Sequence, residues 1–455
     1  MVQQIASERL VATDQRHLIH PLHNSTHRAR ILARGRGALL WDMDGREYID
    51  GLSGLWNVNV GHGREELAAA AHQQMSTLAY CSGYVGQSTE PAIELAERLA
   101  GLAYPNLNTV FFTSGGAESN ESAFKTARYY WKRHGKPGKV KIISRHHGYH
   151  GVTMAAMSAT GMSVYHTMFG PLVPEFVKID APYLYRCPPG IDTEVWPAAT
   201  GAALEEKILA EGPDTVAAFI AEPVMGAGGV IPPPDGYFAS IREICDRYNV
   251  LFIADEVITG FGRTGRWFAL DHWGVQPDIM SFAKGITSGY VPLGGIMVSD
   301  AIADSIRSGS GASAWMHAYT YSAHPTCCAV GLANLRVFEQ ERLVERAAEN
   351  GAYLQKRMRD LEASPHVDGA RGLGMMAAVE VVASKEGRRG FPPERGVGSR
   401  AIAIAASRGL ITRTRAYPGG EALCLAPPLV TTREQIDRAV TILGESIQEA
   451  IRATA

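Results

Sequence analysis

Between residues 105 and 300, short apolar runs rich in β-branched and aromatic residues alternate with amphipathic stretches, and no other feature of the chain narrows its fold as much. That alternation predicts a parallel sheet with helices packed on both faces. TVFF (109–112), VKII (140–143), VAAFIA (216–221) and VLFIAD (250–255) are the strand candidates. Glu118 to Arg133 reads as a helix, because Ala123, Ala127 and Tyr130 recur at helical spacing while Glu121 and Lys125 form an i, i+4 pair. Asp235 to Tyr248 reads as another. The Pro- and Gly-rich YLYRCPPGIDTEVWP (183–197) is an irregular excursion within the same unit rather than a domain boundary.

After residue 330 the chain changes character. A long charged helix is expected around Leu335 to Glu362, a short strand near Met375 to Val382, and another helix after GRRGFPPERGVGS. With 455 residues the chain exceeds what one core supports. The expected organisation is an N-terminal segment (1–60) that contributes to a small domain, a large domain (61–330) and a C-terminal α+β domain (331–455).

Composition removes several classes of function. Forty-four basic residues stand against forty-six acidic ones with no block of like charge, so neither a nucleic acid nor a membrane surface is an expected partner. The six cysteines form no C-x-x-C pair, and two of them, Cys327 and Cys328, are adjacent, which suits neither a zinc site nor a disulfide framework. No metal is expected. The opening MVQQIASERLVATDQRH lacks the apolar core of a signal peptide, so the expected location is the cytoplasm.

The chemistry-bearing segments cluster where strands end. VLFIADEVITGFGRTG closes an apolar run on Asp255, and such a strand delivers its last residue to the crevice at the carboxyl edge of an open α/β sheet. Twenty-nine residues later, DIMSFAKGITSGYVPLGGIMVS sets Lys284 between a strand and a glycine-rich turn. Partial burial there lowers an amine's pKa, and Gly285 and Gly289 leave room for a ring, which suits Schiff-base chemistry. Together the two residues supply two of the groups that pyridoxal 5'-phosphate (PLP) needs. TVFFTSGGAESNES offers a strand, a turn on Gly115, Gly116 and Ala117, and a helix whose free amides suit a phosphate; the same turn also serves as a plain tight connection. In HHGYHG (146–151), Tyr149 either stacks on a cofactor ring or fills core.

With GLSGLWNVNVGHG (51–63), FFTSGGAES (111–119), HHGYHG, AEPVMGAGG (221–229), IADEVITGFGRTG (253–265), FAKGITSGYVPLGG (282–295), HAYTYSAHP (317–325) and LAPPLV (425–430) in this order, the sequence resembles the class III, or ω-, aminotransferases. The resemblance implies the PLP-dependent transferase fold type I: a large domain with a mainly parallel seven-stranded sheet, and a smaller α+β domain. It makes Lys284 the cofactor-holding lysine, Asp255 the partner of the pyridine nitrogen, and Tyr149 and Val257 the residues on the two ring faces. Gly116 and Ala117 match the phosphate-binding amides, beside Gly115, where many members have serine. Glu222 matches a glutamate near the cofactor, a role it shares with that of a buried structural carboxylate. Thr320 is similar to the threonine that reaches the neighbouring subunit's cofactor, which implies a homodimer, with pairing into tetramers open.

As implied function, an amine donor gives its amino group to the cofactor and an oxo acid, pyruvate by resemblance, takes it away. Trp56, Tyr84 and Tyr149 would form an aromatic donor pocket, although Trp56 also reads as plain core. Arg413 and Arg415, in ITRTRAYPGGEALCLAPPL, are both candidates for the substrate carboxylate. The rivals are 4-aminobutyrate, ornithine or diaminopelargonate aminotransferases, with 2-oxoglutarate as acceptor in the first two, and an aminomutase or decarboxylating relative. From other classes they are a nucleotide-binding dehydrogenase, disfavoured because no G-x-G-x-x-G follows the first strand, and a PLP-fold protein that binds without catalysis.

Overall fold

The segments Val216–Ala221 and Leu251–Asp255 are buried at every position, the signature of strands covered on both faces. They lie side by side in the main sheet of the computed structural model, which describes residues 2–24, 28–188, 190–417 and 419–453. Numbered along the chain, the strands are β1 (Leu32–Arg36), β2 (Leu39–Asp42), β3 (Glu47–Asp50), β4 (Leu107–Thr113), β5 (Lys141–Arg145), β6 (Phe176–Ile179), β7 (Val216–Ala221) and β8 (Leu251–Asp255). They continue as β9 (Ile279–Phe282), β10 (Gly294–Ser299), β11 (Val367–Leu373), β12 (Met376–Val381), β13 (Leu410–Ile411), β14 (Arg413–Tyr417) and β15 (Gly420–Leu425).

Seven strands form the main sheet in the order β4-β10-β9-β8-β7-β5-β6, and only β10 runs against the others. Alternate residues feed opposite layers, as the period of two requires. Phe219 and Phe252 pack with Tyr237 and Phe238 of the Tyr237–Arg247 helix, while Ile220 and Ile253 pack with Ala123, Phe124 and Ala127 of the Gly116–Arg133 helix. The expectation of a mainly parallel sheet layered by helices holds.

Among the described residues two smaller sheets lie outside it. One is antiparallel, in the order β11-β12-β15-β14. The other runs β1-β2-β3-β13, with β3 parallel to β13, so the N-terminal strands share a sheet with residues 410 and 411. The excursion beginning at 183 docks on the antiparallel sheet, where Tyr183 and Arg186 reach Glu380 of β12; Pro189, inside that expected excursion, lies outside the described residues.

The single helix expected over Leu335 to Glu362 is two helices, Pro325–Gln340 and Leu343–Asp360, broken where Arg342 turns left-handed at φ +50°. The first is buried on most of its surface and packs on the Glu65–Thr77 and Glu90–Leu102 helices. The second has one apolar face and packs on β11 and β12. Different partners pull the two apart although neither Gly nor Pro marks the break, and residue 330 falls inside the first. Among the described residues no helix is long and apolar enough to cross a membrane.

Candidate active site

Strands β8 and β9 are parallel neighbours, so Asp255 at the end of β8 and Lys284, two residues past β9, reach the same edge of the sheet. Lys284 takes a left-handed backbone, φ +50°, which costs an ordinary residue about 1–2 kcal/mol. Its surroundings impose this. The Asn334 amide donates to the carbonyls of Gly285 and Ile286, both at 2.9 Å. A Cβ at Gly285 would lie 2.7 Å from Asn59 Nδ2 and 2.8 Å from Phe261 Cβ, so only glycine follows the lysine here. Burial brings the Lys284 ammonium down to about 8, against the opposing pull of the Asp255 and Glu222 carboxylates and with a further push from Arg413.

Asp255 is 3% exposed and well supplied with donors. Asn120 Nδ2 and His150 Nδ1 donate to its Oδ2 at 2.8 and 2.7 Å, and the Val257 amide donates to Oδ1 at 3.2 Å. Because a carboxylate only accepts, His150 carries its proton on Nδ1. Glu222 is equally buried and accepts from the amides of Tyr149 and Gly226, both at 2.9 Å. Burial raises its carboxyl pKa and pushes the Tyr149 phenol up to about 12.

The Gly116–Arg133 helix opens onto the same space. Gly115 precedes it in extended conformation without a side-chain cap, so the amides of its first turn stay available. A Cβ at Gly116 would stand 2.8 Å from Val257 Cγ1, and one at Gly151, 2.7 Å from Ala117 Cβ. Glycine at 116 therefore lets Val257 press against the helix start.

Gly116, Ala117, Asn120, Tyr149, His150, Glu222, Asp255, Val257 and Lys284 line one cavity of about 200 Å³, completed by Leu55, Gly151, Val152 and Ile258. Carboxylate, amine, aromatic ring and unused helix amides fit a group that carries a pyridine nitrogen, a carbonyl and a phosphate. A wider depression of about 470 Å³, lined by residues such as Arg186, Cys187 and Arg388, lies off this edge and lacks any such convergence. Among the described residues no set of three His, Cys, Asp or Glu is arranged to hold a metal ion.

Other sequence candidates lie off the cavity wall in the single chain. Trp56 is 2% exposed within an apolar cluster with Leu52, Val224 and Ile258, and its neighbour Leu55 faces the cavity instead. Tyr84 and Thr320 are exposed, and the Thr320 carbonyl accepts from Tyr80. Arg413 and Arg415 sit on β14 opposite Cys424 and Ala422. Arg413 makes its charge felt at Lys284 and Tyr149, whereas Arg415 acts on His147. Sequence reasoning did not single out Asn120 or His150. The signals were a position one helical turn after Gly116 and the residue next to Tyr149.

Comparison with known proteins gives a consistent picture. The family model for class-III aminotransferases matches residues 22–447. A diaminobutyrate–2-oxoglutarate transaminase of Halomonas elongata is 45% identical over 93% of this chain and 91% of its own length. A putrescine–pyruvate aminotransferase of Pseudomonas aeruginosa is 42% identical over 93% and 92%. Among solved structures, an (S)-enantioselective ω-transaminase from Thermomicrobium roseum superposes with a TM-score of 0.92 at 48% identity, covering 98% of both chains. The ω-transaminase from Pseudomonas jessenii in complex with PMP gives 0.92 at 36% identity over 98% and 99%.

Proposed function

The chain belongs to the class III aminotransferases, PLP enzymes of fold type I, and from that premise we propose that it moves an amino group from an ω-amine or ω-amino acid to pyruvate. The observation that carries the reading is Lys284, with its lowered pKa, in one cavity with Asp255, whose Oδ2 is held by Asn120 and His150, and within the field of Arg413.

When bound, pyridoxal phosphate supplies an electron sink that stabilises the carbon losing a proton. The chain's own residues do the rest. Lys284 Nζ holds the cofactor between turnovers and then, as a free amine, takes the proton from the amino-bearing carbon and returns it. Asp255, which accepts from Asn120 and His150, would hold the proton of the ring nitrogen. Glu222 pins the backbone of Tyr149, and the Tyr149 ring and Val257 would hold the cofactor ring between them. The Gly116 and Ala117 amides, with Gly115, would receive the phosphate. Tyr149, with Tyr84 added in the assembled enzyme, forms the donor wall, where Leu55 takes the place expected of the buried Trp56.

Arg413 is assigned the acceptor's carboxylate and Arg415 the role of reserve. A second reading, 2-oxoglutarate as acceptor, is favoured by one observation: both arginines project from the same face of β14, and 2-oxoglutarate carries two carboxylates where pyruvate has one. The Halomonas relative's name points the same way. The proposal includes a cytoplasmic homodimer in which Thr320 reaches the other subunit's cofactor. It also includes the division into a large unit and a small one completed by the N-terminal segment, supported by the β3 and β13 pairing. Incubation of the holoenzyme with putrescine and each oxo acid in turn tests the acceptor. Alanine formed from pyruvate well ahead of glutamate from 2-oxoglutarate supports the proposal, and the reverse order replaces it with the second reading.

A further inference from the structure

Glu380, in β12, is fully buried and stands apart from the cavity lining. Arg371 and Arg186 pair with it at 2.8 and 3.0 Å, and the hydroxyls of Tyr183 and Tyr417 both donate to it. Burial pushes the Tyr417 phenol up to about 12 and that of Tyr183 higher still, so both remain donors at working pH. Buried charge clusters are weak sources of stability, since well-packed apolar residues serve as well or better. What this cluster contributes is geometry.

The cluster ties together parts that must keep register for a two-substrate site. Arg371 donates to the carbonyls of Gly229 and Val230 at 2.7 and 2.9 Å. The amides of those two residues both bond the Gly226 carbonyl, and Glu222 in the cavity holds the Gly226 amide. Tyr417 lies on β14, where it shares a strand face with Arg413 and Arg415. One carboxylate thus grips both the loop behind Glu222 and the strand that carries the arginines.

We infer that Glu380, through the Tyr417 hydroxyl, is a positioning residue for the arginine strand and thereby sets affinity for substrates that carry a carboxylate. The inference rests on the proposed reading that this strand receives the acceptor's carboxylate. Tyr183 provides the comparison: it also donates to Glu380 and its hydroxyl lies 3.0 Å from that of Tyr417, but it comes from the excursion and not from β14.

The experiment compares Tyr417→Phe with Tyr183→Phe in the holoenzyme. Four quantities are read: kcat and KM for pyruvate, the rate at which an amine without a carboxylate bleaches the cofactor band, and the Kd of propionate by calorimetry. Propionate has the carboxylate but no carbonyl to react. Loss of one hydrogen bond to a charged group predicts a rise of about tenfold in pyruvate KM and propionate Kd for Tyr417→Phe, with kcat and amine bleaching within about twofold of the parent. Tyr183→Phe, which leaves the Tyr417 bond to Glu380 in place, should shift pyruvate KM and propionate Kd clearly less than Tyr417→Phe does. Equal losses in both variants, or a fall confined to kcat, would overturn the positioning role in favour of a merely structural one. The paired variants Arg413→Ala and Arg415→Ala separate the two layers of argument. If either weakens propionate while Tyr417→Phe does not, the inference fails and the arginine reading stands. If neither does, the arginine reading fails and takes the inference with it.

Discussion

At the scale of single residues the chemistry rests on Lys284, and two outcomes follow. Lys284→Ala should reduce kcat by at least about 10⁴-fold, the upper range of a positioned acid-base group, and should lose covalent retention of PLP; appreciable turnover in that variant contradicts its role. The second outcome concerns pH. Burial lowers the Lys284 ammonium from the ordinary 10.5 to about 8, so the free amine that captures PLP appears near pH 8. In the cofactor-free enzyme the capture rate, followed in a stopped-flow spectrophotometer, should rise with pH and level off above about 8; a rate still climbing tenfold per unit at pH 10 contradicts the shift. The sign of the stability effect is also defined. Between about 8 and 10.5 the unfolded chain binds more protons at this lysine than the native one, so its contribution to native stability improves as pH rises through that window. Next to it, His150→Ala removes one of two side-chain donors from a buried carboxylate. A loss of about 1.5–3 kcal/mol of charge-assisted hydrogen bonding predicts kcat lower by about ten- to a hundredfold, with a shifted cofactor band.

At the scale of elements, the site depends on how closely two segments approach. Gly116→Ala puts a Cβ 2.8 Å from Val257 Cγ1 at the helix start. Overpacking of this kind costs about 1–3 kcal/mol, so a lower Tm and a weaker Kd for PLP are expected, and Val257→Ala in the same chain should restore part of both. Unchanged PLP affinity in Gly116→Ala would remove this helix start from the phosphate site. The elements themselves were largely legible in sequence because their signals are local. VAAFIA and VLFIAD are apolar at nearly every position, and Ala123, Ala127 and Tyr130 mark one helix face. The break at Glu341 and Arg342 was not legible, since no Gly or Pro interrupts the helical pattern there and the cause is a change of packing partner. Asn120 and His150 were missed for a related reason. Their function exists only where a helix face and a distant loop meet at Asp255, a contact spanning more than a hundred residues that no periodicity encodes.

At the scale of the whole molecule, the single chain exposes Met168, Phe169, Met316 and Tyr321, and Thr320 sits in the same exposed stretch as the last two. If Thr320 completes the neighbouring subunit's phosphate site, Thr320→Ala should weaken PLP binding by about ten- to a hundredfold, the worth of one hydrogen bond to a charged group, while sedimentation still reports a dimer. Retained affinity, or a monomeric enzyme at the parent's activity, contradicts the shared site. The central claim, that this cavity carries an amino group from an ω-amine to an oxo acid, is tested most directly by the absorbance spectrum of the purified holoenzyme through one cycle. The account predicts a yellow band that a simple ω-amine bleaches and that pyruvate then restores, with alanine released in proportion. A band that forms but cannot be cycled by any pair of amine and oxo acid would contradict it.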